Sequence, residues 1–148
     1  MTNACSTEYK PCGGGPFFGR LLISLIFILG GIGKIIDFKG ASDSLSSMGV
    51  SGSDIYISIG LLVELIGGIL LLIGCYTRFA VYILMIFLFP TTFIFHSFWL
   101  YRGVEASMQL STFLKNLAIF GGLFLILSYG PGNWSIDACR SKKRAQQP

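Results

Sequence analysis

The sequence predicts an all-α membrane protein whose four transmembrane helices form an antiparallel, up-down-up-down bundle. Hydrophobic residues make up 53% of the 148 residues and charged residues only 12%, whereas a soluble domain carries about 25% charged residues. The mean hydropathy is +0.71. Four apolar runs are each long enough to cross a hydrocarbon core of about 30 Å as a helix. They cover about residues 17–36, 55–73, 79–99 and 112–129.

The segments outside the runs predict how the spans are connected. Lipid offers no partner to backbone groups, so each span must be helical. Short connections after the second and third runs favour antiparallel neighbours, and the loop after the first run has an amphipathic stretch at 45–50. Gly130-Pro131-Gly132 ends the fourth run. We therefore expect one membrane domain at residues 17–138, with a flexible N-terminal tail at 1–16 and a basic C-terminal tail at 139–148.

The distribution of Lys and Arg predicts the orientation in the membrane. Four spans put both termini on one side, together with the turn between the second and third runs. That side holds 7 of the 11 positive residues, namely Lys10, Arg20, Arg78, Arg140, Lys142, Lys143 and Arg144. Because positive residues concentrate in the cytoplasm, both termini should be cytoplasmic. These charges border apolar runs, which favours contact with the lipid bilayer over binding of nucleic acid.

The cysteines fall on the same predicted side of the membrane. They are Cys5, Cys12, Cys75 and Cys139, and no two of them form a C-x-x-C pair. The cytoplasm is usually reducing, so we expect free thiols. The spacing gives little support for a metal site, and we predict none.

Four ionisable residues within or beside the apolar runs are the candidates for function: Lys34, Glu64, His96 and Lys115. A charge in hydrocarbon costs at least about 2.5–3.5 kcal/mol, so such groups usually face a polar interior. In an antiparallel bundle all four fall in the half of the membrane farther from the termini. Small residues at helical spacing share their faces, as is typical of contacts between membrane helices. We therefore expect the four side chains to point inward, toward one another.

Structural explanations of the same residues remain open at this point. Either lysine could extend along its helix to the interface. His96 could bond a neighbouring hydroxyl such as that of Thr92, one turn earlier. Glu64 lies too deep to reach water, and its structural alternative is an ion pair with Lys34 or Lys115.

Pro90 interrupts the third run and predicts a kink there. A kink below Thr91 and Thr92 would open a pocket beneath His96, lined by Phe93, Phe95, Phe98 and Trp99. The alternative for the aromatic residues is an interfacial belt, in which they lie at the level of the lipid headgroups.

Several motifs together resemble the DoxX family of small bacterial membrane proteins. In order they are GRLLISLIFILGGIGKI (19–35), ELIGG (64–68), Thr77-Arg78, FHSFW (95–99), FLKNLAIFGG (113–122) and GPGNWSID (130–137). The resemblance implies a four-helix bundle in the cytoplasmic membrane. Some members are membrane subunits of oxidoreductases that pass electrons to quinone in sulfur metabolism, and others belong to oxidative-stress complexes. Where relatives often have Arg-Tyr, this chain has Asn133-Trp134, so no role of that arginine is carried over.

The leading functional hypothesis is a quinone-linked membrane subunit of an oxidoreductase, with quinone as its cofactor. Glu64 and His96 would transfer protons as the catalytic residues. Lys34, Lys115, Thr92, Phe95 and Trp99 would bind the ligand, and electrons would come from a protein partner. The first alternative is a non-enzymatic assembly factor, chaperone or scaffold. The second is binding or transport of a small molecule or lipid, for which a homo-oligomer would supply further helices.

Overall fold

The structure, a computed structural model, describes residues 14–146, and these residues form helices and connecting turns without strands. Residues 1–13, which include Cys5 and Cys12 and most of the expected N-terminal tail, lie outside the described residues. In chain order the helices are α1 (Gly15–Ile36), α2 (Phe38–Ser47), α3 (Ser53–Ile73), α4 (Thr77–Phe95), α5 (Gly103–Tyr129) and α6 (Ile136–Ala145). A single 3-10 turn, Phe98–Leu100, connects α4 to α5.

Four of the described helices, α1, α3, α4 and α5, are long and apolar enough to cross a membrane. This result confirms the predicted all-α membrane fold. The helix boundaries differ most from the predicted ones at the connection between α4 and α5. There α4 ends at Phe95 and α5 begins at Gly103. With 27 residues, α5 is about 40 Å long. Its first turns therefore extend beyond a hydrocarbon core of about 30 Å, which explains why their polar residues resembled a loop.

Two short helices occupy segments that the sequence did not identify as helical. Helix α2 begins after Asp37, whose carboxylate accepts a hydrogen bond from the Gly40 backbone N–H at 3.0 Å. Helix α6 begins after Ser135, whose hydroxyl accepts from the Ala138 N–H at 3.2 Å. Both are side-chain caps of a helix N-terminus. The basic segment expected as a tail is thus largely helical.

Glycines bring α1 and α3 close together. A Cβ atom at Gly31 of α1 would lie 2.7 Å from the side chain of Leu65, and one at Gly68 of α3 would lie 2.9 Å from that of Ile28. As residue numbers rise along α1, those of the facing α3 residues fall, so the two helices run in opposite directions. Small residues permit this approach, because van der Waals packing holds membrane helices together.

The interior is packed in one half of the bundle and open in the other. The buried apolar cluster lies in the half that contains the start of α1 and the end of α3, and includes Phe27, Leu71, Leu84 and Leu123. Large apolar side chains on the outward faces of the four long helices are exposed. In a membrane those faces meet lipid, as expected for a spanning bundle. The open half holds the candidate site.

Candidate functional site

A buried ion pair joins α1 to α3 in the open half of the bundle. The Lys34 Nζ donates to the Glu64 Oε2 at 2.6 Å. The two side chains are 25% and 11% exposed, respectively. Glu64 therefore points inward, as predicted, and its partner is one of the two lysines that the sequence offered as the structural alternative. A lone carboxylate at this depth would be very costly, and the ammonium group offsets much of that cost.

Glycine makes room for the carboxylate. A Cβ atom at Gly30, one turn before Lys34, would lie 3.3 Å from the Glu64 Oε2. Gly60, one turn before Glu64 on α3, similarly faces the ring of Phe87 on α4 at 3.1 Å. Glu64 thus reaches the interface between helices because the positions around it lack side chains.

The ion pair borders a cavity of about 720 Å³ between the helices. Helices α1, α2, α3, α4 and α5 all contribute to its wall, which is mainly apolar. Its polar groups are few and come from different parts of the bundle: Lys34, Ser44, Tyr56, Glu64, Thr91, His96 and Asn116. An apolar cavity with a small number of convergent polar groups is the usual form of a small-molecule site.

The cavity reaches the outer surface of the bundle between α3 and α4. Tyr56 and Ile59 on α3, and Ile94 on α4, line the cavity. They are also 60%, 54% and 49% exposed. A molecule dissolved in the bilayer could therefore enter sideways through this gap. The lining residue Leu45 on α2, in contrast, is buried and not exposed at the outer surface.

His96 lies at the cavity wall but pairs with a different residue from the one expected. It follows the last residue of α4, and its backbone N–H donates to the Thr92 carbonyl at 3.2 Å. Its Nδ1 lies 2.9 Å from the Gln109 Oε1 of α5. No hydrogen bond within residues 14–146 joins His96 to Glu64. Gln109 was not among the predicted residues, because the fourth span was expected to begin at residue 112.

The hydroxyls that follow Pro90 bond to their own helix. Thr91 Oγ1 donates to the carbonyls of Phe87 and Leu88, at 2.9 and 3.0 Å, and Thr92 Oγ1 donates to Leu88 at 2.7 Å. Thr91 lines the cavity, whereas Thr92 is buried away from it. Thr92, which the sequence suggested as a ligand contact, therefore does not line the cavity, and its neighbour Thr91 does.

Lys115 and Trp99 also differ from their expected positions. Lys115 is exposed, while Asn116, rotated by about 100° on the same helix, lines the cavity. Trp99 is 54% exposed and packs against Phe93, Phe98 and Phe113 outside the cavity. The expectation that both line the pocket is wrong. Phe95, in contrast, lines the cavity as expected.

A second polar cluster, at the other end of the bundle, was not identified from the sequence. Arg20 is fully buried. It donates through Nη1 to the carbonyls of Leu71 and Leu72, at 3.2 and 3.4 Å, and through Nη2 to that of Trp134 at 2.5 Å. The last carbonyls of a helix lack intrahelical partners and favour a positive charge. Arg20 therefore closes the end of α3 and holds the chain that follows α5.

Asp137 binds the free N–H groups at the start of α4, as Arg20 binds the free carbonyls at the end of α3. Its carboxylate accepts hydrogen bonds from the backbone N–H groups of Tyr76 and Thr77, at 3.0 and 2.8 Å, and from the Thr77 hydroxyl at 2.8 Å. Partial burial by itself raises the pKa of Asp137. The hydrogen bonds and the charge of Arg140 lower the pKa by more than burial raises it, so it lies below its usual value. The GPGNWSID motif thus serves to join α6 to the bundle.

These features define a small integral membrane protein of several spans that contains an internal cavity with a buried ion pair. The chain belongs to the DoxX family, whose profile matches residues 15–97, more than half of its length. That match covers α1 to α4. Within residues 14–146, no group of three or more His, Cys, Asp or Glu side chains is placed to hold a metal ion.

Two relatives extend the similarity to most of the chain. The inner membrane protein YqjF of Escherichia coli (strain K12) is 36% identical over 129 residues, which cover 87% of this chain and 94% of that protein. The inner membrane protein YphA of the same organism is 29% identical over 118 residues, covering 80% and 84%. No solved structure is detectably similar to the chain. The two relatives support the predicted location in a bacterial inner membrane.

Proposed function

We propose that this protein binds a membrane quinone in the cavity and serves as a quinone-linked membrane subunit of an oxidoreductase. The observation that carries the proposal is an apolar cavity of about 720 Å³ that opens between α3 and α4 and contains Lys34, Glu64 and His96 in its wall. This size lies within the usual range of about 300–1,000 Å³ for small-molecule sites. A quinone has a polar head and an apolar tail, which match the two kinds of lining.

The polar residues have defined tasks in this proposal. Reduction of a quinone to a quinol takes two electrons and two protons, and it forms two O–H bonds. A partner protein with its own redox cofactor supplies the electrons. The two protons come from water and pass through Glu64 and His96, each of which takes up a proton before it donates one to a quinone oxygen. The Lys34 ammonium stabilises negative charge that develops on a quinone oxygen. The bond to Gln109 engages the His96 Nδ1, so the second ring nitrogen, Nε2, is the one available to a ligand.

The proposal includes the cellular setting. The membrane domain, residues 17–138, lies in the bacterial inner membrane with both termini in the cytoplasm, and its exposed apolar faces meet lipid or a partner. Two alternatives use the same features differently. Binding or transport of a lipid or another small molecule requires only the cavity and its lateral opening. A non-enzymatic assembly factor, chaperone or scaffold requires only the ion pair, which is already satisfied within the bundle.

Binding of a short-chain quinone to the purified protein tests the proposal. Glu64→Gln keeps the shape of the side chain but removes its charge, and Lys115→Gln is the matched control because Lys115 is exposed and outside the cavity. We expect roughly tenfold weaker binding for Glu64→Gln, because the lost charge-assisted hydrogen bond no longer holds the Lys34 ammonium group in the cavity wall. Lys115→Gln should bind as the unchanged protein does.

Thermal midpoints and a lipid competitor separate the alternatives. A quinone that competes no better than a saturated lipid of equal chain length would indicate lipid binding. Absence of quinone binding in the unchanged protein, together with a large fall in the midpoint of Glu64→Gln, would indicate a structural ion pair and overturn the proposal. Equal quinone binding by both variants would exclude Glu64 from the site.

A further inference from the structure

A groove beside α6 lies at the end of the bundle opposite the cavity. It has a volume of about 630 Å³. Its apolar wall includes Ile73, Trp134 and Ile136, and its positive charges are those of Arg140 and Lys143. Ile73 is the last residue of the spanning helix α3 and is 43% exposed. The groove therefore begins at the lipid-facing surface, at the level where a span leaves the hydrocarbon.

Helical spacing assigns the basic residues of α6 to different faces. Ile136, Arg140 and Lys143 stand at positions i, i+4 and i+7 and share the face that lines the groove. Lys142 and Arg144 are also exposed but do not line it. The groove thus receives two of the four positive charges of the helix, beside Ile136 and Cys139.

Arg140 is held in position while it remains exposed. Its guanidinium lies over the Tyr76 ring, 5.0 Å from the ring centroid, and its charge interacts with the carboxylate of Asp137. A cation stacked on an aromatic ring loses less conformational freedom when an anion binds, because the side chain is already ordered. Tyr76 and Trp134 are the residue types enriched at membrane–water interfaces.

We infer that this groove binds an anionic phospholipid, with the headgroup phosphate between Arg140 and Lys143 and an acyl chain along Ile73 toward the bilayer. The charge of the groove complements a phosphate, and its apolar wall adjoins the lipid-facing end of α3. Basic residues beside a membrane span attract anionic lipid. This site lies at the other end of the bundle from the cavity, so the inference does not depend on the proposed function.

Fluorescence of Trp134 reports on the groove directly. The chain has two tryptophans, so Trp99→Phe leaves Trp134 as the single emitter in the full-length protein. The protein is placed in phosphatidylcholine vesicles with a minor fraction of either phosphatidylglycerol or phosphatidylcholine brominated on its acyl chains. We expect stronger quenching by brominated phosphatidylglycerol than by brominated phosphatidylcholine at the same mole fraction, because the anionic lipid is enriched beside Trp134.

Charge variants decide whether the preference belongs to the groove. Arg140→Gln with Lys143→Gln should reduce the preference by roughly fivefold for each charge removed. Lys142→Gln with Arg144→Gln removes the same charge from other faces and should retain most of the preference. Lys143→Gln alone leaves the contacts of Arg140 with Tyr76 and Asp137 in place, so it tests the site even if the double variant loses stability.

Three results would overturn the inference. Equal quenching by the two brominated lipids would show that the groove does not prefer an anionic headgroup. Equal loss in both double variants would show that only the total charge of α6 matters. Reversal of the preference by millimolar glycerol phosphate, at constant ionic strength, would show a site for a soluble phosphate.

Discussion

Within residues 14–146, the charged side chains that are withdrawn from solvent have partners of different kinds. The Arg20 guanidinium donates to backbone carbonyls at the end of α3. The Asp137 carboxylate accepts from backbone N–H groups at the start of α4. Glu64, in contrast, pairs with a side chain, that of Lys34. The first two residues satisfy groups that every helix end leaves without intrahelical partners, whereas the third stands in a cavity wall where a ligand can reach it.

Asp137 should make the protein sensitive to acid. Its pKa is lower in the folded protein than in the unfolded chain, because the folded state provides hydrogen bonds to the charged form. The stabilisation is therefore complete above the unfolded pKa of about 3.9 and is lost as the pH falls through the lower, folded pKa. Thermal midpoints in detergent should show Asp137→Asn well below the unchanged protein at pH 6, and the difference should shrink below about pH 4.

A matched variant separates this effect from general acid instability. Asp43, on α2, is exposed, and Asp43→Asn should follow the unchanged protein at every pH. A difference between Asp137→Asn and the unchanged protein that stays constant from pH 6 to pH 3 would contradict the assignment.

At the residue scale, the sequence indicated the deep site better than the end of the bundle. Glu64 stood out because a carboxylate far inside an apolar run must find a partner, and the nearby glycines indicated a packed face. Arg20 stood out less, since a positive residue near the start of a span also serves to orient it. Its proximity in the fold to Trp134, 114 residues later, was not apparent from local spacing. The pairing of His96 with Gln109 depended on where α5 begins.

At the scale of elements, the contact of α1 with α3 depends on glycine. Alanine in place of glycine within a helix usually stabilises it by about 1 kcal/mol. At Gly68, however, the added Cβ atom would lie 3.3 Å from the backbone nitrogen of Ile28, so the helices must separate. We expect Gly68→Ala to lower the free energy of unfolding by about 1–3 kcal/mol, the usual cost of overpacking, as measured from thermal midpoints.

Gly121 provides the control, because a Cβ atom there has no neighbour within 4 Å. Gly121→Ala should leave the midpoint unchanged or raise it. Equal midpoints for the two variants would show that α1 can move away from α3 without loss.

Prediction of secondary structure from the sequence was weakest for the two short helices, α2 and α6. The long helices are predicted from continuous apolar runs, because a segment that crosses lipid in this way must be helical. Helices α2 and α6 have ten residues each, and a helix of that length is marginal without tertiary contacts. Their caps at Asp37 and Ser135 were not identified from the sequence, because both residue types are also common in loops. The tertiary contacts that stabilise the two helices cannot be seen in local sequence.

At the scale of the whole molecule, the orientation in the membrane is the remaining prediction. An exposed thiol at either end of the bundle can test it. Cys139 lies on α6 and is exposed, as is Ser46 at the end of α2. In spheroplasts, a membrane-impermeant maleimide should label Ser46→Cys but leave Cys139, Cys5 and Cys12 unmodified. After lysis, Cys139 should react as well.

The opposite labelling pattern would reverse the proposed orientation. Cys139 would then face the periplasm, and the cavity would open into the cytoplasmic half of the bilayer. The internal geometry of the cavity and of the groove beside α6 would be unchanged by that result, because neither is defined by the side of the membrane.

The hydrogen bonds of Arg20 to residues far along the sequence have a consequence for the synthesis of the chain. During synthesis, Arg20 enters the membrane before the ribosome has translated Leu71, and well before it reaches Trp134; these acceptors lie 51 and 114 residues downstream. The guanidinium therefore obtains its last acceptor only after all four long helices have been translated. A nascent chain released before that point carries an unsatisfied charge in its first span. The charge in the first span is thus fully satisfied only when the last segment of the bundle is in place.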